Sequence, residues 1–312
     1  MPDIVVMFFL LGVLAGLVRS DLSIPRAAYD VLSLLLMLTI GLKGGMSLHG
    51  AVTWGLVGEL AAVALLGVLI PLVIFPVVRF VVRLSLADSA SFAAHYGSVS
   101  AGTFAVALAY AETNQLTVGG QVTLYLVLLE LPAIMLALML FRRFSRSNTE
   151  GITQGLWHET LTNRGVVLLV GGVVIGWLYG PESGRVVTDL YTNAFQGVLA
   201  LFLLEMGLVA ADTLRQVSRR HIRLMLFAVL APSLLSLPGL MMALALGLPA
   251  GSAVILAALT ASASYIAAPV AIRAAIPSAN IGLAMLASLG ITFPFNVIIG
   301  IPLYHALWQL IS

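Results

Sequence analysis

LMLFAVLAPSLLSLPGLMMALALGLPAGSAVILAALTASASYIAAPVAI, residues 224–272, contains no Asp, Glu, Lys or Arg. A helix needs about 20 predominantly apolar residues to cross a bilayer, so this stretch holds more than one crossing. Residues 274–312 are equally free of charge. The rest of the chain agrees: of 312 residues, 61% are hydrophobic and 9% charged. A soluble domain is about 45–50% apolar and about 25% charged. Too few charges remain to cover a water-facing surface. A soluble globule is excluded, and the fold class is an all-α polytopic membrane protein.

The remaining composition narrows the chemistry. Net charge is +2 and the basic residues are scattered, so no nucleic-acid stripe forms. Cysteine is absent, which removes disulfides, thiolate metal sites and a cysteine nucleophile. The first apolar run carries Asp3 instead of a basic leader and is followed by Arg19, so it reads as a first span and not a signal peptide.

Apolar runs separated by polar or Gly/Pro punctuation place ten spans at 4–18, 27–43, 53–78, 87–111, 117–141, 165–180, 190–211, 222–248, 250–274 and 280–310. The fourth and ninth are weak, rich in Ser, Ala and Gly. Arginine tests the count. Arg19, Arg26, Arg79, Arg83, Arg142, Arg143, Arg146, Arg164, Arg215, Arg219, Arg220, Arg223 and Arg273 fall on one face if both weak segments cross, leaving only Lys43 and Arg185 on the other. The positive-inside rule then puts both termini on the outer side of the plasma membrane.

The two halves echo each other. Gly12-x-x-x-Gly16 in span 1 answers Gly172-x-x-x-Gly176 in span 6, and Ile40-Gly-Leu in span 2 answers Met206-Gly-Leu in span 7. Gly97-Ser-Val-Ser100 in span 4 answers Ala261-Ser-Ala-Ser264 in span 9, and Glu130-Leu-Pro132 answers Thr292-Phe-Pro294. Five spans per copy is an odd number, so the second copy enters from the opposite face: a 5+5 inverted repeat. The division is 1–141 for the first repeat, 142–164 for a short Arg-rich cytoplasmic linker, and 165–312 for the second repeat.

The paired Ser-x-Ser motifs have two readings. Runs of small residues let helices pack closely. Alternatively both helices break there, freeing backbone groups that protein, water or ligand must satisfy at bilayer depth. Helix N-termini then suit a small anion and C-termini a cation such as sodium. Ser and Thr hydroxyls serve either ion, which makes Ser98, Ser100, Ser262 and Ser264 candidate ligands. Glu130, mid-span before Pro132, is a site candidate because a carboxylate at that depth is costly; it can ligate sodium, carry a proton, or be a hydrogen-bonded structural group. Glu59 and Glu205 are weaker candidates. His95 reads either as a pH-sensing group or as a satisfied structural histidine, and Lys43 as a side chain snorkelling to the interface. No His i, i+4 pair and no Gly-x-Ser-x-Gly, Walker or Rossmann motif occurs, so the expectation is a non-enzyme with no cofactor and no metal beyond sodium.

Ser23-Ile-Pro25, Ile40-Gly-Leu-Lys-Gly-Gly45, Gly97-Ser-Val-Ser-Ala-Gly-Thr103, Ala261-Ser-Ala-Ser264 and Ala275-Ile-Pro-Ser-Ala-Asn280 resemble the sodium-dependent bicarbonate transporter family, from span 1 to span 10. The resemblance implies a homotrimer that takes up bicarbonate with sodium by alternating access. It implies anion binding at Gly97, Ser98, Ser100, Ala101, Gly102 and Thr103 with Ser262, Ser264, Tyr265 and the intervening Ala263. Sodium would be held at Ser100, Thr103, Glu130, Ser262 and Ser264. Two features depart from the cyanobacterial members: Tyr265 stands where they carry an acidic residue, and the 142–164 linker is much shorter, which bears on docking of a PII-like regulatory protein. A symporter of another small anion, a proton-coupled carrier using Glu130 and His95, and a non-transporting membrane sensor are the alternative readings.

Overall fold

The computed structural model describes residues 3–51, 53–145, 162, 164–215 and 222–312. Among them the chain is helical, without a strand. The helices are α1 (Ile4–Leu17), α2 (Arg26–Leu48), α3 (Trp54–Val81), α4 (Leu86–Gly97), α5 (Ala101–Thr113), α6 (Val122–Phe144), α7 (Arg164–Ser183), α8 (Arg185–Leu214), α9 (Ile222–Ala245), α10 (Ala250–Thr260), α11 (Ala267–Ala275) and α12 (Ile281–Ile311). Seven of these, α2, α3, α6, α7, α8, α9 and α12, are long and apolar enough to cross a membrane. The protein is a multi-pass membrane protein.

The count of full-length helices thus differs from the ten apolar runs, for a local reason. Span 1 is a helix of only 14 residues, and the two weak spans are each interrupted, as α4 plus α5 and as α10 plus α11. Most of the 142–164 linker, with Arg146, lies outside the described residues, as do Arg219 and Arg220.

Glycine decides how the long helices pair. α1 packs along α8, and α2 along α7. A Cβ added at Gly12 would stand 2.0 Å from the Leu204 carbonyl oxygen, and one at Gly207 would stand 2.2 Å from that of Phe9. In the other pair, a Cβ at Gly45 would stand 2.1 Å from the Val173 carbonyl oxygen and one at Gly176 2.5 Å from that of Leu42. These are backbone-to-backbone contacts, and they need small residues on both sides. The Gly-x-x-x-Gly of α1 therefore meets the Gly207 region of α8, and that of α7 meets the Gly41–Gly45 region of α2.

α4, α5 and α10 lie in the interior. Every described residue of α10 from Gly251 to Thr260 is buried, and so is α5 from Gly102 to Ala109. Ala, Gly and Ser make this packing compact, and a helix apolar all round belongs inside. The outward faces of α3, α7 and α9 carry exposed Leu65, Leu69, Val170, Val174, Leu230 and Leu234, as a lipid-facing surface requires. α12 contains two π-helical turns, Ser288–Thr292 and Asn296–Gly300, flanking Pro294.

Candidate functional site

The two interruptions meet. α4 stops at Gly97, which presses so closely on Pro71 of α3 that a Cβ would lie 2.8 Å from that ring. Ser98 is then extended, and Ser100 caps α5 by accepting a hydrogen bond from the Thr103 N–H at 3.0 Å. On the other strand of the crossing, α10 stops at Thr260, and Ser264 accepts from the Ala268 N–H at 3.2 Å at the start of α11. Two hydrogen bonds tie the interruptions together: the Ser100 N–H donates to Ser262 Oγ at 2.9 Å, and the Ser264 N–H donates to the His95 carbonyl at 2.7 Å. Asn296 of α12 braces the assembly by donating to the Ala261 carbonyl at 2.9 Å.

Four short helices therefore end at one place, two by their N-termini (α5, α11) and two by their C-termini (α4, α10). N-termini carry a partial positive charge and unpaired N–H groups, and C-termini the reverse. Beside them lies a cavity of about 60 Å³ lined by Ser100 and Ala101, by Ser264, Tyr265 and Ala267, by Glu130 of α6, and by Ser33 and Met37 of α2. A water needs roughly 10–15 Å³ of such space, so the cavity admits a few waters or a small ion, and nothing of drug size. Arg164, at the start of α7, also lines it and pairs with Asp30 at 2.5 Å.

Unmet polar groups concentrate here. Buried side-chain atoms without a hydrogen-bond partner among the described residues are His95 Nε2, Ser98 Oγ, Thr103 Oγ1, Tyr265 OH and Asp3 Oδ2. The first four belong to the crossing. An unpaired buried polar atom costs about 1–3 kcal/mol; of the four, Tyr265 lines the cavity, and His95, Ser98 and Thr103 lie on α4, in the break after it and on α5. Glu130 is not one of these atoms: it is half-buried and lines the cavity.

The sequence-named residues divide by position. Ser100, Ala101, Ser264, Tyr265 and Glu130 line the cavity. Ser98 and Thr103 stand behind it with free hydroxyls. The Ser262 hydroxyl is engaged on both sides, accepting from Ser100 N–H and donating to the Leu259 carbonyl at 2.7 Å, and Ala263 is buried. Gly97 and Gly102 serve close approach: a Cβ at Gly102 would lie 2.1 Å from the Tyr265 hydroxyl. Tyr265 itself is held edge-on to Phe293, with ring centroids 5.4 Å apart.

Of the other residues named from the sequence, Lys43, Glu205, Glu59 and His95 do not line the cavity. Lys43 does not simply snorkel: its ammonium pairs with Glu112 of α5 at 2.6 Å and lies 4.4 Å over the Phe195 ring. Glu205 shares a pocket with Arg19, Asp212 and Arg215 at the end of α1, away from the crossing. Glu59 accepts a hydrogen bond from Tyr125. His95 Nδ1 is bonded to the Ser91 carbonyl at 2.7 Å, so its ring is fixed by its own helix. Ser33, Met37 and the place of Arg164 at the cavity escaped the sequence reading because nothing in their local pattern announces a cavity formed by five separate segments.

The sequence profile of the Na⁺-dependent bicarbonate transporter superfamily matches residues 4–309. The chain belongs to this superfamily. No curated protein matches the sequence. The superfamily is one of transporters, and its match spans all twelve helices, so the crossing belongs to a transporter scaffold from end to end.

Proposed function

We propose that the protein takes up bicarbonate, or a similarly small monoanion, together with sodium by alternating access across the plasma membrane. The observation that carries this is the meeting of the two Ser-x-Ser interruptions at a small cavity that also holds Glu130. The N-termini of α5 and α11, with the Ser100, Ser264 and Tyr265 hydroxyls, suit the anion. Glu130 with the hydroxyls of Ser100, Thr103, Ser262 and Ser264, beside the C-terminal ends of α4 and α10, suits sodium. Both ions are cargo, and no bond is made or broken.

In this reading α4–α5 and α10–α11 each complete one crossing, giving ten in a 5+5 inverted repeat with both termini outside. The matched glycine contacts support it, since exchanging the halves turns the α1–α8 contact into the α7–α2 contact. The four helices α1, α2, α7 and α8 would form one body, and the rest the other. A homotrimer and a PII-like partner rest on the family likeness alone.

Ligand-dependent thermal stabilisation tests the substrate. Bicarbonate should raise the melting temperature only when sodium is present, since a ligand stabilises the state that binds it. Chloride, nitrate, formate and acetate form the comparison panel, because Tyr265 reshapes the pocket relative to the cyanobacterial pattern. Stabilisation by one of these instead of bicarbonate would move the substrate assignment. Stabilisation indifferent to sodium would remove the coupling.

A further inference from the structure

The seam between α2 and the crossing helices has two unlike ends. Near its N-terminus, α2 lends Ser33, Leu34 and Met37 to the cavity wall. Near its C-terminus it lies directly on its neighbours. A Cβ at Gly44 would stand 2.1 Å from Thr123 Oγ1, and one at Gly120 would stand 2.8 Å from the Gly44 carbonyl oxygen. At this closed end Lys43 Nζ meets Glu112 Oε1 of α5 at 2.6 Å and sits 4.4 Å above the ring of Phe195 on α8. Asp30–Arg164, Arg185–Asp189 and Asp212–Arg215, by contrast, stay within α2, α7, α8 and the turn after α8.

The pair is one-sided. Aligning Ile40-Gly-Leu-Lys43 with Met206-Gly-Leu-Val209 sets Val209 opposite Lys43, and aligning Gly97 with Ala261 sets Ile276 opposite Glu112. Neither can form an ion pair, so the second half carries no counterpart at the cavity end.

We propose that the Lys43–Glu112 pair, seated on Phe195, is a latch that shuts the α2 C-terminal end of the transport path, leaving the site to communicate through the cavity. The proposal rests on the alternating-access reading above. A latch of this kind has to be weak enough to open in each cycle. Lys43 and Glu112 are 23% and 34% exposed, so water competes for both charges and screens their attraction. The Phe195 ring adds a cation–π contact that orients the ammonium while the seam is closed. When α2 and α8 move against α5, both charges rehydrate at once and neither is stranded.

The chain lacks cysteine, so one introduced thiol reports on the seam. Thr123→Cys places it at the closed end against Gly44. In proteoliposomes, the rate of labelling by a membrane-impermeant maleimide on that face measures how often the seam opens. In this background Lys43→Ala and Glu112→Ala should each speed labelling about three- to fivefold, the effect of losing one partly exposed pair. Phe195→Leu should speed it less. The double exchange Lys43→Glu with Glu112→Lys should restore slow labelling, which separates the pair from general loosening. Labelling unchanged in both alanine variants, or a double exchange labelled as fast as they are, overturns the latch. Failure of the unmodified protein to carry bicarbonate would instead count against the transport reading, and the labelling rates would still decide the latch.

Discussion

Gly102→Ala is the sharpest test of the crossing's geometry. The new Cβ would stand 2.1 Å from the Tyr265 hydroxyl, 3.2 Å from Phe202 Cε1 and 3.3 Å from Phe293 Cε2. The tyrosine cannot swing freely aside, because it is 6% exposed and packed edge-on against Phe293. Overpacking of this kind costs about 1–3 kcal/mol. The shortest contact belongs to the hydroxyl alone, which lies near the Ser100 hydroxyl and the Gly102 backbone without forming a hydrogen bond of good geometry to either. Tyr265→Phe should therefore be close to neutral in the ligand-free protein. Combined with Gly102→Ala it should recover about half the loss, a coupling on the order of 1 kcal/mol that contacting residues typically show. The two remaining aromatic contacts keep the rescue incomplete. Thermal unfolding of purified protein without bicarbonate is the assay, each kcal/mol moving Tm by roughly 2–4 °C. A Gly102→Ala protein that melts with the unmodified one would refute the reasoning. So would a double variant that melts as low as the single.

Glu130→Gln should fold normally, since no ion pair is lost, but the sodium concentration for half-maximal uptake should rise at least about tenfold, as loss of a charged ligand contact implies; sodium titration of uptake checks this. Ser100→Leu and Ser264→Leu should each abolish uptake by filling the 60 Å³ cavity while leaving gel-filtration behaviour unchanged, and full activity in either would remove that serine from the site. Gly45→Ala and Gly12→Ala should lower Tm alike, each driving a Cβ to within 2.1 Å of a facing backbone oxygen, whereas Gly171→Ala, which meets nothing within 4 Å, should be neutral or stabilising by about 0.5–1 kcal/mol.

The membrane class was legible because charge scarcity is a property of the whole chain, and the uninterrupted residues 224–272 alone demanded a bilayer. The interruptions were legible as paired Ser-x-Ser motifs, since small polar residues at bilayer depth either pack helices or free backbone groups. Which of the two applies depends on a partner segment about 160 residues away, and the Ser100–Ser262 hydrogen bond supplies it. Lys43 shows the same limit. A lone cation at a span end looks like an interfacial anchor until Glu112, 69 residues on, stands beside it. Arg164 likewise reads as one more inside-facing arginine, although it borders the cavity. Local pattern reports faces, breaks and capping; it is silent on which distant segments close a cavity. Tyr265 is the intermediate case: its departure from the family pattern was visible, but not that its hydroxyl fills the space over Gly102.

Uptake of labelled bicarbonate into sealed vesicles, with and without an inward sodium gradient, tests the central claim most directly. The account predicts accumulation driven by the gradient, collapsing when sodium is equal on both sides and absent in the Ser100→Leu protein. Accumulation that ignores sodium, or that persists with the cavity filled, would contradict it.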